Sequence, residues 1–392
     1  MKAFDKVPHQ RLLYKLSKYG IGTSIIKWIE SFITGRKQRV VINGQTSSWD
    51  NVTSGIPQGS ILGPLLFVLY INDLPDQVNS PMLLFADDTK IYKEIKSAND
   101  HYLVQKDIDN MIKWSKDWLL LFHPDKCKAL RIGSNDHSFT YNIDGTEIDF
   151  TDKEKDLGVI VDDKLNFEQH INTQVQKANS IMGLIRRTFT YLDNTIFSRL
   201  FKALVRPILE YAHVVWHPLH IKNKKIIENV LRRASKQVPC CKDLSYKECL
   251  TKLKIPCMIY RKLRGDQIEV YKMLNNHYDK EIDIPLRLSK ITRGDASKPK
   301  LIKSKIHKDI RANFFSNRVV NFWNKLPSSV TSAPSIKSFE RRLDSYWGHL
   351  DIIYDFDKCL DYERSNMNLN YAGSTTRTFQ ISKEDDLKIQ EL

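Results

Sequence analysis

The 392-residue sequence is poor in several things, and each shortage removes a class of protein. No stretch approaches the roughly 20 consecutive apolar residues that a membrane-spanning helix needs. The N-terminus lacks the charged-then-apolar pattern of a secretion signal. Cysteines number six (Cys127, Cys240, Cys241, Cys249, Cys257 and Cys359), too few in so long a chain for a disulfide framework. Four of them fall between positions 240 and 257 without the paired C-x-x-C spacing that closes around zinc, so buried thiols are expected. No internal repeat is visible. These absences point to an intracellular protein, nuclear or cytoplasmic, with no membrane partner.

Positive charge is plentiful. Lys and Arg number 61 against 46 Asp and Glu, a net charge of +15 that suits a polyanionic partner. From Lys222 to Arg264 there are 13 Lys or Arg and only three acids, Glu228, Asp243 and Glu248. That stretch is the expected phosphate-contact surface, with Lys222, Lys224, Lys225, Arg232, Arg233 and Lys236 as the candidate side chains. A solvated helical face is the plain alternative.

Periodicity divides the chain. Leu12, Leu13, Leu16, Ile21, Ile25, Ile26, Ile29 and Phe32 predict two helices joined by a glycine turn. Arg39 to Gln45 reads as a strand entering an Asn43-Gly44 hairpin turn, with Thr46 to Val52 as its partner. A Gly/Pro-rich loop follows Ser54, then a helix over Leu65 to Leu74 with Pro64 in its first turn. Pro81 to Tyr92 predicts strand, tight turn and strand, and Asn99 to Leu121 an amphipathic helix. Beyond residue 162 helix-period segments dominate: Ile171, Val175, Ala178, Met182 and Ile185 form one clean face, Asn194 to Ala212 is a helix that Pro207 should kink or divide, and Lys224 to Gln237 is another. Trp114, Trp118, Trp216, Trp323 and Trp347 sit among Leu and Ile and are expected in cores rather than stacked on bases. His213, His217 and His220 lie close in sequence without an evident carboxylate partner, so a metal site is not expected there. Residues 351–392 lose apolar periodicity and are expected to be poorly ordered.

The chemistry is carried by two elements. Asp87-Asp88 fall at the bend between two strands preceded by Leu83, Leu84 and Phe85. An Asp pair in a turn is ordinarily only a turn, but at the end of a buried hairpin two adjacent carboxylates repel unless a cation lies between them, and Mg²⁺ takes oxygen ligands and keeps waters for substrate phosphates to replace. The second element is Ser54-Gly55-Ile56-Pro57-Gln58-Gly59-Ser60, a stiff backbone that a ligand can approach closely, with one amide side chain to meet a base edge or sugar. It lies about one helix before the Asp-Asp hairpin, the order that a templated polymerase palm requires.

With these residues in place, the sequence resembles the reverse transcriptases of non-LTR (LINE-type, jockey-like) retrotransposons. Ser54 to Pro64 (SGIPQGSILGP) is similar to their motif B, and Leu84-Phe85-Ala86-Asp87-Asp88-Thr89 to motif C. Ala3-Phe4-Asp5-Lys6-Val7-Pro8 resembles the second half of motif A, and Pro124 to Lys128 resembles motif D. Leu157-Gly158-Val159, Trp216-His217-Pro218, Arg232-Arg233-Ala234 and Phe322 to Pro327 are softer matches, so the likeness covers roughly residues 1–347.

The resemblance implies an α+β fold: a palm with an antiparallel sheet and helices over residues 1–160, a helical thumb over 161–265, and a mainly helical region over 266–350. It implies RNA-directed DNA synthesis by two-metal nucleotidyl transfer, with an RNA template, a DNA primer, dNTPs and Mg²⁺. Asp87 and Asp88 would be the catalytic and metal-ligating carboxylates. Phe4 would be the ring that excludes a 2′-hydroxyl, Gln58 and Gly59 would lie under the template–primer pair, and Lys126 would approach the nucleotide phosphates. Motif A in this family opens with an Asp five residues before the aromatic, a place that falls before Met1. Asp5 would not replace it, because on a strand it would face away from Phe4. A chain that begins here is expected to extend primers poorly by itself, which keeps a second reading open, a catalytically inactive nucleic-acid-binding relic or co-opted protein.

Overall fold

The computed structural model describes residues 3–133, 139–279, 285–289, 300–306 and 309–368. The chain splits into two compact units, Met1–Glu154 and Lys155–Leu392.

The first unit opens with a 3₁₀ turn, Ala3–Lys6, then helices α1 (His9–Lys18) and α2 (Thr23–Ile33), joined where Gly20 adopts a positive φ. Four two-residue strands follow: β1 (Lys37–Gln38), β2 (Val41–Ile42), β3 (Gln45–Thr46) and β4 (Asp50–Asn51). β2 pairs antiparallel with β3 and β1 with β4. Asn43 and Gly44 turn the hairpin with φ of 49° and 82°, the left-handed pair that an Asn-Gly sequence favours. Helix α3 (Leu62–Ile71) begins three residues before its expected start and keeps Pro64 in its first turn. Strands β5 (Met82–Phe85) and β6 (Asp88–Ile91) form the next hairpin, and α4 (Ala98–Asp117) starts on a reciprocal Ser97–Asp100 capping box. Beyond it lie β7 (Lys128–Leu130), β8 (Asn142–Ile143), β9 (Thr146–Glu147), β10 (Asp149–Thr151) and β11 (Lys153–Asp156), in which the unit boundary falls.

The core of this unit is built from Leu12, Leu13 and Leu16 of α1, Ile29 and Ile33 of α2, Ile56, Leu66, Phe67, Tyr70 and Ile71 around α3, and Trp114 of α4. The helical spacing read from the sequence buries its predicted face in α1, whereas in α2 Ile29 is buried, Ile26 and Phe32 are part-buried, Ile25 is exposed, and Ile33 takes the inner place. The expected antiparallel palm sheet is not formed. Among the described residues every sheet has two strands, and β7–β10 is parallel. The strands are two to four residues long, and β1 to β4 are exposed throughout, so there is no packed face for a wider sheet to share.

The second unit continues with β12 (Val159–Asp162) and helices α5 (Glu168–Thr188), α6 (Asn194–Leu200), α7 (Arg206–Glu210), α8 (Ile221–Ser235), α9 (Tyr246–Leu253) and α10 (Met258–Leu274). Ile171, Val175, Ala178, Met182 and Ile185 of α5 are all buried. Between α6 and α7 a π-helical turn, Phe201–Val205, leads directly into Pro207. Proline lacks an N–H and its ring crowds the carbonyl four residues back, and the wider turn relieves both. After β13 (Arg287–Leu288) and β14 (Leu301–Ile302) come α11 (Asp309–Asn313), α12 (Phe315–Arg318), α13 (Val320–Lys325), α14 (Ser328–Thr331), α15 (Ile336–Gly348) and α16 (Phe356–Asn368).

One continuous core, from Val159 through Trp216, Tyr260, Trp323 and Trp347 to Leu360, runs through this unit. Residue 265, the expected limit of a separate thumb, falls inside α10. The expectation of a poorly ordered segment from residue 351 is corrected for α16, which buries Phe356, Cys359, Leu360, Glu363 and Asn366 on one face; residues 369–392 lie outside the described residues. No helix among the described residues is long and apolar enough to cross a membrane.

Candidate active site

The hairpin β5–β6 carries the acidic pair. Its register sets Phe85 opposite Asp88, leaving Ala86 and Asp87 as a two-residue loop in which Ala86 takes φ 51°. The hairpin is not buried on both faces as the apolar run suggested. Met82 and Leu84 pack against the core of the first unit, while Leu83 and Phe85 are exposed. Strand alternation produces this split, and the apolar residues on the outer face hid it in the sequence. Asp87 and Asp88 are exposed, and neither carboxylate has a hydrogen bond or ion pair among the described residues.

The loop 54–60 and the segment 3–9 are joined by hydrogen bonds. Ile56 N–H donates to the Phe4 carbonyl at 2.9 Å and Gly55 N–H to that of Val7 at 2.8 Å. The Gly55 carbonyl accepts from Arg36 Nη2 at 2.6 Å and lies 2.9 Å from His9 Nε2. Ser54 Oγ donates to the Asp5 carbonyl at 2.9 Å, and Gln58 Nε2 donates to Asp5 Oδ1 at 2.7 Å. Gly55 is required twice over: its φ is +87°, and a Cβ there would stand 2.6 Å from Asp5 Cα.

Asp5 is on a 3₁₀ turn, not a strand, so the alternation argument that set it aside does not apply; its carboxylate faces the glycine loop. The Phe4 ring stacks on Phe67 of α3 with centroids 4.2 Å apart. Phe4, Ile56 and Leu84 thus share one hydrophobic cluster, which brings the aromatic, the Pro-Gln-Gly corner and the acid hairpin onto a common support. Gln58 and Gly59 are exposed at the corner. Lys126 ends the 3₁₀ turn Pro124–Lys126, exposed, with its neighbour Phe122 packed on the same cluster.

Sequence reasoning missed two supports. Lys15, 3% exposed, donates to the Tyr70 carbonyl at the C-terminal end of α3, pairs with Asp73, and lies 4.8, 4.7 and 3.8 Å from the ring centroids of Tyr70, Trp114 and Trp118. Burial lowers its pKa, against the pull of Asp73. Asp107 of α4 accepts the backbone N–H groups of Asn79 and Ser80 at 2.9 Å each, fixing the approach to β5. Burial alone would raise its pKa, but these bonds outweigh it and hold the carboxyl below its usual range. The available signal was a charge within an apolar helical stripe: Lys15 between Leu12 and Leu16, Asp107 beside Ile108.

In the second unit the basic stretch from Lys222 to Arg264 is largely occupied by its own protein. Lys224, expected on a phosphate surface, is buried and donates to Glu363 Oε2 at 2.6 Å. His217 Nε2 lies 2.8 Å from Glu363 Oε1, and His213 lies 3.8 Å from Asp266. Carboxylates from α10 and α16 thus supply the partners that the histidines lacked in sequence. Burial pushes Glu363 up, but Lys224 and His217 outweigh it and hold it at about 2. Arg261 pairs with Glu210 and Arg264 with Asp344, both bidentate, while Lys262 is buried over the Trp216 ring at 3.6 Å. Arg232 lies over Tyr246, Lys236 donates to the Lys242 and Leu244 carbonyls, and Lys222 is 3.6 Å from Glu168. Lys225 and Arg233 have no such partner among the described residues.

Cys241, Cys249 and Cys257 are buried, Cys240 is exposed, and all are free thiols. Among the described residues no group of three His, Cys, Asp or Glu side chains could by itself hold a metal ion. Asp87 and Asp88 present two adjacent exposed carboxylates without partners among the described residues, oxygen donors of the kind a hard divalent cation takes.

Comparison with known proteins agrees with this geometry. Residues 1–179 match the reverse transcriptase (RNA-dependent DNA polymerase) family. The chain is 29% identical over 298 residues to the RNA-directed DNA polymerase from mobile element jockey of Drosophila funebris, covering 70% of this chain and 31% of that protein. It is 30% identical over 189 residues to the jockey polymerase of Drosophila melanogaster, covering 45% of this chain and 20% of that one. To the probable RNA-directed DNA polymerase from transposon X-element of the same fly it is 26% identical over 254 residues, 59% of this chain and 27% of that protein. The chain therefore spans less than a third of the length of these relatives. Over residues 1–179 the chain thus carries a segment that matches the reverse transcriptases, and the relatives it resembles are RNA-directed DNA polymerases of non-LTR, jockey-like elements.

Proposed function

We propose that this chain contributes the palm of an RNA-directed DNA polymerase, with a helical thumb following it, and acts on an RNA template, a DNA primer and dNTPs. The observation that carries the reading is the pair of exposed, unpartnered carboxylates Asp87 and Asp88, on a hairpin whose inner face packs in the same cluster as Phe4 and Ile56. Asp87 and Asp88 would hold Mg²⁺, which when bound lowers the pKa of a primer hydroxyl and neutralises triphosphate charge. The half-buried Phe4 ring, backed by Phe67, would bar a 2′-hydroxyl on the incoming sugar. Gln58 and Gly59 would meet the template–primer pair, and Lys126 the nucleotide phosphates. In the second unit Lys225 and Arg233 of α8 would be the open phosphate contacts, with Lys222 and Arg232 of α8 and Lys236 just after it joining only by leaving their present partners, and without the buried Lys224.

The test is an exchange in which residues 1–179 replace the matching stretch of the Drosophila funebris jockey polymerase. Mg²⁺-dependent extension of a DNA primer on RNA should persist in the exchanged enzyme, and Asp87→Asn should abolish it. An active exchange enzyme indifferent to Asp87→Asn would overturn the assignment. For the chain itself, affinity for an RNA–DNA hybrid should fall steeply with salt, and Arg233→Ala should lower the slope of log affinity against log salt by about one.

A further inference from the structure

We propose that Asp5 is a positioning residue: it orients the Gln58 amide so that the carbonyl oxygen faces outward, as an acceptor for a sugar hydroxyl of the template strand. This rests on the polymerase reading above and adds to it a residue that the metal-centred argument leaves idle.

An ionised carboxylate can only accept hydrogen bonds, so the atom of Gln58 that meets Asp5 Oδ1 at 2.7 Å must be the amide nitrogen. The choice of amide rotamer then follows from chemistry, since a flipped amide would set oxygen against oxygen. With Nε2 anchored, Oε1 of the exposed Gln58 is the acceptor left over, and no group among the described residues donates to it. A surface hydrogen bond between two free side chains fixes little, because both must be ordered to make it. Here the backbones are already locked. The bonds from Ile56 to Phe4, Gly55 to Val7 and Ser54 to Asp5 hold the two segments in register, and Gly55 lets the Asp5 backbone approach to a distance that no side chain permits. Only the two side-chain rotamers remain to be ordered, so a single bond suffices to choose between them.

An outward acceptor selects for a donor. Phosphate oxygens offer none, whereas the 2′-hydroxyl of an RNA strand donates and distinguishes RNA from DNA at a given position. Gln58 held by Asp5 therefore favours a template that carries 2′-hydroxyls.

The experiment uses the whole 392-residue chain and needs no catalysis. Binding is measured for an RNA–DNA hybrid and for the same hybrid with 2′-fluoro template nucleotides near the primer end, which keep the A-form shape but cannot donate. The unsubstituted chain should bind the fluoro hybrid about five- to tenfold more weakly, the worth of one hydrogen bond. Gln58→Ala should bind both hybrids alike, and Asp5→Ala should reduce the ratio to about twofold or less. Asp5→Asn, whose Oδ1 still accepts from Nε2, should restore most of it, which a general loss of folding would not. Asp5→Ala in a Gln58→Ala background should change nothing further. Full discrimination by Asp5→Ala, or loss of it in Asp5→Asn with an unchanged melting profile, overturns the positioning role. An unsubstituted chain that binds hybrid with normal salt sensitivity but ignores the fluoro change also overturns it and leaves the polymerase reading standing. A chain with no salt-sensitive hybrid affinity overturns both.

Discussion

In the unit Met1–Glu154 the carboxylates proposed for chemistry, Asp87 and Asp88, are exposed without partners among the described residues, whereas in the unit Lys155–Leu392 Glu363 and Asp266 are sealed among helices with cations on them. The first unit keeps that acid pair available and holds its shape with close backbone approach at Gly55, Lys15 among three rings and on Asp73, and the buried Asp107 on the approach to β5. The second uses charge as an internal fastener. The same residue types therefore answer to opposite physical rules, and substitution separates them.

The largest expected effect is at Glu363. Its carboxylate is the counterion of Lys224 and the hydrogen-bond partner of His217, whose charged form burial disfavours; all three are buried, and removing one partner of a buried pair leaves an uncompensated charge. Glu363→Leu should lower stability by about 3–5 kcal/mol in urea unfolding. Adding Lys224→Met should recover a large part of that loss, since an apolar replacement of a whole pair is often neutral. If the single and double variants were equally unstable, α16 would be held by its apolar face alone and the comparison would lose its main support.

In the first unit the corresponding test is steric. Gly55→Ala forces a Cβ to within 2.6 Å of Asp5 Cα and also demands a φ of +87° from an L residue, so a loss of about 3 kcal/mol is expected, with the bonds to Phe4 and Val7 opened. Gly59 shares the positive φ, +79°, but has open space around it, and Gly59→Ala should cost only about 1 kcal/mol. Thermal unfolding of the two variants measures the difference, and equal losses would mean that backbone conformation, not contact with Asp5, is what Gly55 supplies.

What the sequence revealed and what it hid follow the same division. The α5 stripe of Ile171, Val175, Ala178, Met182 and Ile185 was legible because helical periodicity is local, and so was the Asn43-Gly44 turn, while the bend expected at Asp87-Asp88 falls one residue earlier, at Ala86-Asp87, with Asp88 opening β6. Partnerships across long separations were not. Lys224 read as a surface cation because its counterion is 139 residues away, and Asp5, judged only as a replacement for the motif A Asp on an expected strand, gave no sign of its contact with Gln58, 53 residues on. Helix α16 was missed for a related reason: two of the residues it buries, Glu363 and Asn366, are polar, so its buried face looks like a solvated one. The loop and acid pair of the candidate site were readable as motifs, but the hydrogen bonds that join the loop to residues 3–9 were not, because each joins residues far apart in sequence and two of them are backbone bonds with no side-chain signature.

Glu228 offers a smaller effect with a definite pH signature. It is buried, accepts from the Tyr246 hydroxyl and from Met258 N–H, and burial pushes its pKa up to about 7 against those bonds. A carboxyl with a raised folded pKa holds its proton more tightly when folded. Stability should therefore fall as pH rises from the ordinary Glu range to about 7 and stay level above it. Glu228→Gln keeps the shape and carries no charge, so its advantage over the unsubstituted chain should be near zero at pH 4 and grow to at most about 3 kcal/mol above pH 7. A constant difference across that range would place the ionised form comfortably in the fold and remove the pH argument.

The smallest change in stability is expected where the change in chemistry is greatest. Asp87 has no hydrogen bond or ion pair among the described residues and is followed by a second carboxylate, so Asp87→Asn should alter stability by no more than about 0.5 kcal/mol and, if it changes it, raise it by relieving repulsion. Millimolar Mg²⁺ should raise the melting temperature of the unsubstituted chain slightly, because a ligand that binds only the folded state stabilises it, and should do less for Asp87→Asn. The two measurements together are diagnostic. A side chain kept for structure would show a large loss on substitution and no response to the cation, as Glu363 should, whereas one kept for metal chemistry shows the reverse. An Asp87→Asn chain that unfolds several kcal/mol more easily would move the acid hairpin into the same category as the buried ion pairs of the second unit.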